Sequence, residues 1–93
     1  MIPLVYSCAS NSDGVILKRA MAERAVDAAK DAMADTSKCA NASKDYFDAD
    51  VNLKQGLGYI SNRSNWEMAE THFDSAIKSA EQAEEEAALC VNK

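Results

Sequence analysis

Two apolar seams flank a short polar segment at residues 61–65, and this arrangement constrains the fold more than any other feature of the chain. In each seam, apolar or small residues recur at alternating steps of three and four, which is the spacing of a helix face that packs against a second helix. The first seam comprises Cys39, Ala42, Tyr46, Ala49, Leu53, Gly56 and Ile60. The second seam comprises Trp66, Ala69, Phe73, Ala76, Ala80, Ala83, Ala87 and Cys90. The sequence therefore predicts two long helices joined by a turn within residues 61–65.

The two seams are symmetric about that turn. When the chain is folded into an antiparallel hairpin, seam positions face each other in pairs, and large residues come opposite small ones, as Phe73 comes opposite Gly56. Layers of this kind let two helices interdigitate at close range. The last pair, at the open end of the hairpin, is Cys39 with Cys90.

The rest of the chain fits a single all-α domain. With 93 residues, three Gly and one Pro, it has the length of one domain and few helix breakers. Residues 1–12 are expected to form an apolar head and a linker, and residues 13–93 the helical domain. The expected architecture is a three-helix arrangement dominated by the long antiparallel hairpin.

Apolar periodicity sets the expected bounds of the helices. We expect them at about 14–34, 38–61 and 65–90. The first carries a broad, alanine-rich apolar stripe, and the third is preceded by Ser64 and Glu67 in a capping-box pattern. A turn is expected at residues 35–37, with a continuous helix through them as the alternative.

Cys39 and Cys90 are predicted to form a disulfide because they are the terminal layer of the hairpin. Such a bond would close a long loop and stabilise the fold by about 4 kcal/mol on the chain-entropy account. The alternative is a pair of buried free thiols that pack as small apolar residues. A structural disulfide implies an oxidising compartment, so the pairing predicts an exported protein in the periplasm, the outer membrane or the extracellular space.

Cys8 is the third cysteine, and the first helix would carry it to the turn end of the bundle, away from the other two. Its context, Leu4-Val5-Tyr6-Ser7-Cys8, resembles the end of a bacterial lipoprotein signal, whose cysteine is lipidated. No basic segment precedes it, so residues 1–7 would be the remnant of a longer signal. A free thiol and a bond to another subunit are the alternatives. Membrane contact is expected only through a lipid anchor at Cys8.

Charge and motif content exclude several classes of function. The net charge of −5 disfavours nucleic acid and anionic membrane surfaces as partners. No Cys/His cluster has the spacing of a zinc site, and no phosphate-binding loop is present. His72 is the single histidine, and one histidine in a thin helical bundle gives no argument for a Ser-His-Asp or Cys-His set. We therefore expect no catalytic residue, no metal, no cofactor and no small-molecule substrate.

Three motifs follow one another along the chain: Ala25-x-x-Ala28, then Tyr46-x-x-Ala49-x-x-x-Leu53, then Ser64-Asn65-Trp66-x-x-Ala69-x-x-x-Phe73-x-x-Ala76. With these motifs, the stretch from Glu23 to Ala87 resembles a family of small, alanine-rich bacterial envelope proteins, often lipoproteins, that contain a tetratricopeptide-like helical hairpin. The resemblance implies an exported, non-enzymatic role in the cell envelope. It implies no ligand.

Apolar residues outside the seams define a candidate interaction face. These are Phe47, Val51, Leu57, Met68 and Ile77, which must pack on the first helix or on a partner. The expected function is a non-catalytic structural or adaptor protein of the bacterial cell envelope that acts through helix-face protein contacts and self-associates. The alternative is a monomeric, tetratricopeptide-like module that binds a peptide. A cell-wall tether attached through Lys93 ranks below both.

Overall fold

Three α-helices make up the computed structural model, which describes residues 12–33 and 40–91. In chain order they are α1 (Ser12–Met33), α2 (Ala40–Tyr59) and α3 (Trp66–Val91). A 3₁₀ turn, Arg63–Asn65, precedes α3, and the described residues contain no strand. The predicted all-α, three-helix arrangement is confirmed. The turn expected at residues 35–37, and the question of a continuous helix there, lie outside the described residues.

The hairpin of α2 and α3 has the predicted antiparallel register. A Cβ atom placed on Gly56 would lie 2.5 Å from Cε1 of Phe73, so the ring occupies the space that a side chain would need. At the open end, Ala42 and Ala87 form a small core cluster together with Ala32 of α1. Both layers are those that the seam symmetry predicts.

Alanine fills most of the core. Among the described residues, the buried apolar side chains are Val15, Ala22, Val26, Ala29, Ala42, Ala49, Ala69, Phe73, Ala76, Ala80, Ala83 and Ala87. Phe73 and Val15 are the largest side chains that are fully buried. Small residues let the helices approach closely, but each contributes little buried apolar area. The core is therefore tightly packed and thin.

Helix α1 runs parallel to α3 and antiparallel to α2. Its orientation follows from contacts at both ends: Lys18 Nζ lies 2.8 Å from Asp74 Oδ2, and Ala32 packs against Ala87 near the open end. The start of α1 therefore lies at the turn end of the hairpin, as predicted. Cys8 precedes it in the chain and lies outside the described residues.

The connection between α2 and α3 is closed by side chains of the polar segment. Asn62 Oδ1 accepts hydrogen bonds from the Ser64 backbone N–H, at 3.1 Å, and from the Ser64 hydroxyl, at 2.8 Å. The Trp66 indole donates to the Ile60 carbonyl oxygen at 2.9 Å, so this side chain lies beside the turn as expected.

The start of α3 differs from the predicted capping box. Asn62 is the N-cap of the 3₁₀ turn, and the Ser64 hydroxyl is bound to Asn62. Helix α3 then begins at Trp66, two residues after the predicted Ser64 cap. The capping-box pattern did not predict this start, because the Ser64 hydroxyl bonds to the side chain of Asn62, two residues upstream, and so does not cap α3.

Candidate functional site

The predicted interaction face is divided between the core and the surface. Leu57 and Ile77 are partly buried and pack against the main core cluster. Phe47 and Met68 are exposed, and Val51 is half-buried. Only part of the predicted set is therefore available for contact with a partner.

Phe47 is the most exposed large apolar side chain of the molecule's described part, with 64% of its surface accessible. It lies one turn before Val51, and the two share a ridge of α2 that also carries Lys44 and Asp50. The adjacent Tyr46 packs against the core cluster, whereas Phe47, about 100° further round the helix, is not part of that cluster. These four residues, Lys44, Phe47, Asp50 and Val51, are called the Phe47 ridge below.

Four further large apolar residues are exposed and were not included in the predicted face. They are Ile16, Leu17 and Met21 of α1 and Leu89 of α3. Leu17 and Met21 belong to the broad apolar stripe of α1, which is wider than the area that the hairpin covers. The stripe width is the sequence signal that identifies them.

A cleft of about 430 Å³ opens between α1 and α2. It is lined by Glu23, Val26, Asp27, Lys30, Tyr46, Asp50 and Leu53. Helix α1 packs more extensively on α3 than on α2. The α2 side of the cleft carries Tyr46 and Leu53, which are much larger than alanine, and we attribute the separation of α1 from α2 to them. The cleft depends on three helices at once, so no single sequence pattern predicted it.

The cleft combines an apolar floor with a charged rim. Val26 is buried, while Tyr46 and Leu53 are partly buried and pack against the core cluster. Three carboxylates, those of Glu23, Asp27 and Asp50, face one ammonium group, that of Lys30.

Two of the three carboxylates already have basic neighbours. Glu23 Oε2 lies 3.3 Å from Arg19 Nε, and Asp50 Oδ2 lies 3.0 Å from Lys54 Nζ. The first pair is exposed and the second joins exposed Lys54 to half-buried Asp50. Both are (i, i+4) pairs near the surface, so each contributes little to stability and can rearrange when a ligand binds. Asp27 is in none of the ion pairs found among the described residues.

His72 of α3 contacts two side chains of α2 and so links the two helices of the hairpin. Asn52 Nδ2 donates to the Asp48 carbonyl oxygen at 3.0 Å, which directs Asn52 Oδ1 toward His72 Nδ1, at 3.0 Å. The Nδ1 atom of His72 is therefore the hydrogen-bond donor. The Tyr59 ring stacks on the imidazole with 5.4 Å between ring centroids. This histidine ties α2 to α3.

Glu70 is a buried charged residue on α3. The residue is only 8% exposed, and its Oε2 atom has no hydrogen-bond partner. A buried oxygen without a partner lowers the stability of the folded state.

Cys90 lies in the last turns of α3 and is not a free thiol. Its predicted partner, Cys39, lies outside the described residues, as does Cys8. The Cys39–Cys90 pairing therefore stays a prediction.

Side chains of His, Cys, Asp and Glu form no group of three or more suited to a metal ion within residues 12–33 and 40–91. Over the same part of the chain, no helix is long and apolar enough to cross a membrane. No family, no curated protein and no solved structure matches this chain. The resemblance to alanine-rich envelope proteins therefore stays a prediction.

Proposed function

We propose that this chain is a non-catalytic structural or adaptor protein of the bacterial cell envelope, which acts through its helix faces and self-associates. The observation that carries the proposal is the exposure of Phe47 on a ridge of α2 that is not part of the core cluster. Burying a side chain of this size stabilises a contact by roughly 1.5–3 kcal/mol.

The charges on the Phe47 ridge suit contact with a second copy. If two α2 helices cross antiparallel with the two-fold axis at Phe47, the two Phe47 rings pack on each other. Lys44 and Asp50 lie three residues before and after Phe47, so each comes opposite the complementary charge of the other copy. Such an isologous arrangement is the commonest way in which identical chains associate.

The thin core gives self-association a further role. Alanine contributes most of the buried side chains, and a chain of this length buries only about 60–65% of its unfolded surface. Contact through Phe47 adds apolar burial that the single copy lacks. We therefore expect the associated form to be more stable than the monomer.

The envelope location rests on the Cys39–Cys90 disulfide, which remains part of the proposal. Two observations support it: Ala42 and Ala87 share a buried layer next to these positions, and Cys90 is not a free thiol. Thiol counting on the denatured chain, with and without reductant, tests it. Reduction should expose at least two additional thiols per chain, whichever fate Cys8 has, whereas an unchanged count would remove the support for export.

Light scattering over a range of protein concentrations tests self-association. The mass of the wild-type chain should rise toward that of a dimer, and Phe47→Ser should return it to the monomer. Leu89→Ser is the matched control, because Leu89 is 62% exposed but lies on α3. A monomer at every concentration would contradict this function.

The cleft between α1 and α2 favours a second candidate function, a monomeric module that binds a peptide as tetratricopeptide domains do. Its volume of about 430 Å³ lies in the range of known ligand sites. Its lining combines three apolar with four charged side chains, which suits a peptide that presents both kinds of group. A wild-type chain that stays monomeric and still binds peptide would favour this second function over the first.

A further inference from the structure

We infer that the cleft between α1 and α2 takes a basic, amphipathic segment of another protein, with lysine or arginine against its rim and apolar side chains on its floor. The inference rests on the second candidate function and specifies its ligand. It does not depend on self-association through Phe47.

The carboxylate of Asp27 favours a cation in the cleft, because it is the rim carboxylate that forms no ion pair among the described residues. Glu23 and Asp27 lie one turn apart on the same edge of α1, and Asp50 lies across the cleft on α2. Like charges at this spacing on a helix repel each other. A guanidinium or ammonium group placed between the edges would relieve that repulsion and would gain the unpaired carboxylate of Asp27 as a partner.

The floor of the cleft selects an amphipathic segment over a small cation. Val26, Tyr46 and Leu53 present apolar surface between the two helices. Lysine and arginine cover such surface with their methylene stems while the charged head reaches a polar rim. A simple ion would leave this surface in contact with water.

The dimensions of the cleft fit a short stretch of helix. Its edges run from Glu23 to Lys30 on α1 and from Tyr46 to Leu53 on α2, which is about 10 Å along each helix. Two turns of a ligand helix span that length. A helix laid in a groove between two helices is one of the recurring modes of peptide recognition.

A second copy of this chain suits the cleft poorly. The chain has 15 acidic and 10 basic residues, so its surface carries an excess of the charge that already lines the rim. The segment that we infer as the ligand carries more basic than acidic residues.

Fluorescence anisotropy with a labelled Leu/Lys peptide of about 14 residues, which forms four turns with one apolar and one basic face, tests the inference. The comparison peptide carries glutamate in place of every lysine. The full chain should bind the lysine peptide, and binding should weaken as salt is added. Equal binding of both peptides, or of neither, would overturn the inference.

Variants that remove either a negative or a positive charge at the rim then locate the binding site. Asp27→Asn should weaken binding of the lysine peptide about threefold, and Lys30→Gln should tighten it by a similar factor. Glu85→Gln and Lys78→Gln are the matched controls, because both residues are exposed, lie on α3 outside the cleft, and change the net charge equally. Effects as large in the controls as in the cleft variants would show attraction to the whole chain and overturn the inference.

The outcomes also separate this inference from the function on which it rests. If a Leu/Gln peptide binds and Asp27→Asn has no effect on the lysine peptide, the cleft is a peptide site without preference for basic ligands. The binding function would stand in that case, and the inference about its ligand would be overturned.

Discussion

Substitutions at Gly56 test the close packing of the hairpin most directly. A methyl group at this position would lie 2.5 Å from the Phe73 ring, which is fully buried and therefore has little room to move. We expect Gly56→Ala to lower the free energy of unfolding by roughly 1–3 kcal/mol, and Gly56→Leu to lower it at least as much. Urea denaturation measures both.

The matched control for that substitution lies two residues further along α2. A Cβ atom on Gly58 would have no heavy atom within 4 Å. Gly58→Ala should therefore raise stability, by up to about 1 kcal/mol, because alanine is the better helix former. Equal effects at the two glycines would show that Phe73 does not fill the space over Gly56.

Glu70 supplies a second test at the scale of the residue. Its Oε2 atom is buried without a hydrogen-bond partner, so an apolar side chain of similar volume should suit the site better. Glu70→Met should raise the free energy of unfolding by about 1 kcal/mol. Glu81→Met, at an exposed position in the middle of α3, is the control and should have little effect. A loss of stability in Glu70→Met would mean that the carboxylate has a stabilising partner.

At the scale of the element, the tie between α2 and α3 predicts the tautomer of His72. Asn52 Oδ1 accepts from Nδ1, so the neutral imidazole should carry its proton on Nδ1 and leave Nε2 bare. Nitrogen NMR on the neutral imidazole distinguishes the two forms. Asn52→Ala should shift the population toward the form protonated on Nε2. A wild-type chain already protonated on Nε2 would contradict this hydrogen bond.

The three helices also show how much of the fold can be predicted from the sequence. The pairing of α2 with α3 follows from their seams, because every layer joins a large residue to a small one or two small ones. The position of α1 follows less directly, since its apolar stripe is broad and permits several rotations about the helix axis. The ion pair of Lys18 with Asp74 belongs to one of these rotations and has no signal of its own in the sequence.

The candidate sites divide in the same way. Phe47 was predicted to be part of an interaction face because it lies outside the seam of α2, to which its neighbour Tyr46 belongs. The partial burial of Leu57 and Ile77 was not predicted, because it depends on contact with the core. The cleft depends on how far Tyr46 and Leu53 hold α1 from α2, which is a property of three packed helices. Sequence periodicity describes faces of single helices and pairs of them, and the cleft lies beyond that scale.

At the scale of the whole molecule, the proposed disulfide predicts a large response to reductant. A bond that closes the hairpin would contribute about 4 kcal/mol, which corresponds to more than about 10 °C in melting temperature for a domain of this size. Cys39→Ser and Cys90→Ser should each reproduce the effect of reduction, and the double variant should cost no more than either. Cys8→Ser is the control and should melt like the wild type. A melting temperature that reductant does not change would contradict the proposed disulfide and the inference of export.

Self-association through α2 is the central claim, and NMR on a mixture of isotope-labelled and unlabelled chains tests it most directly. A filtered experiment detects contacts only between different copies. We predict nuclear Overhauser effects between the Phe47 ring of one copy and that of the other, growing with protein concentration and lost in Phe47→Ser. Phe47 resonances that are independent of concentration, with no contact between copies, would contradict the account.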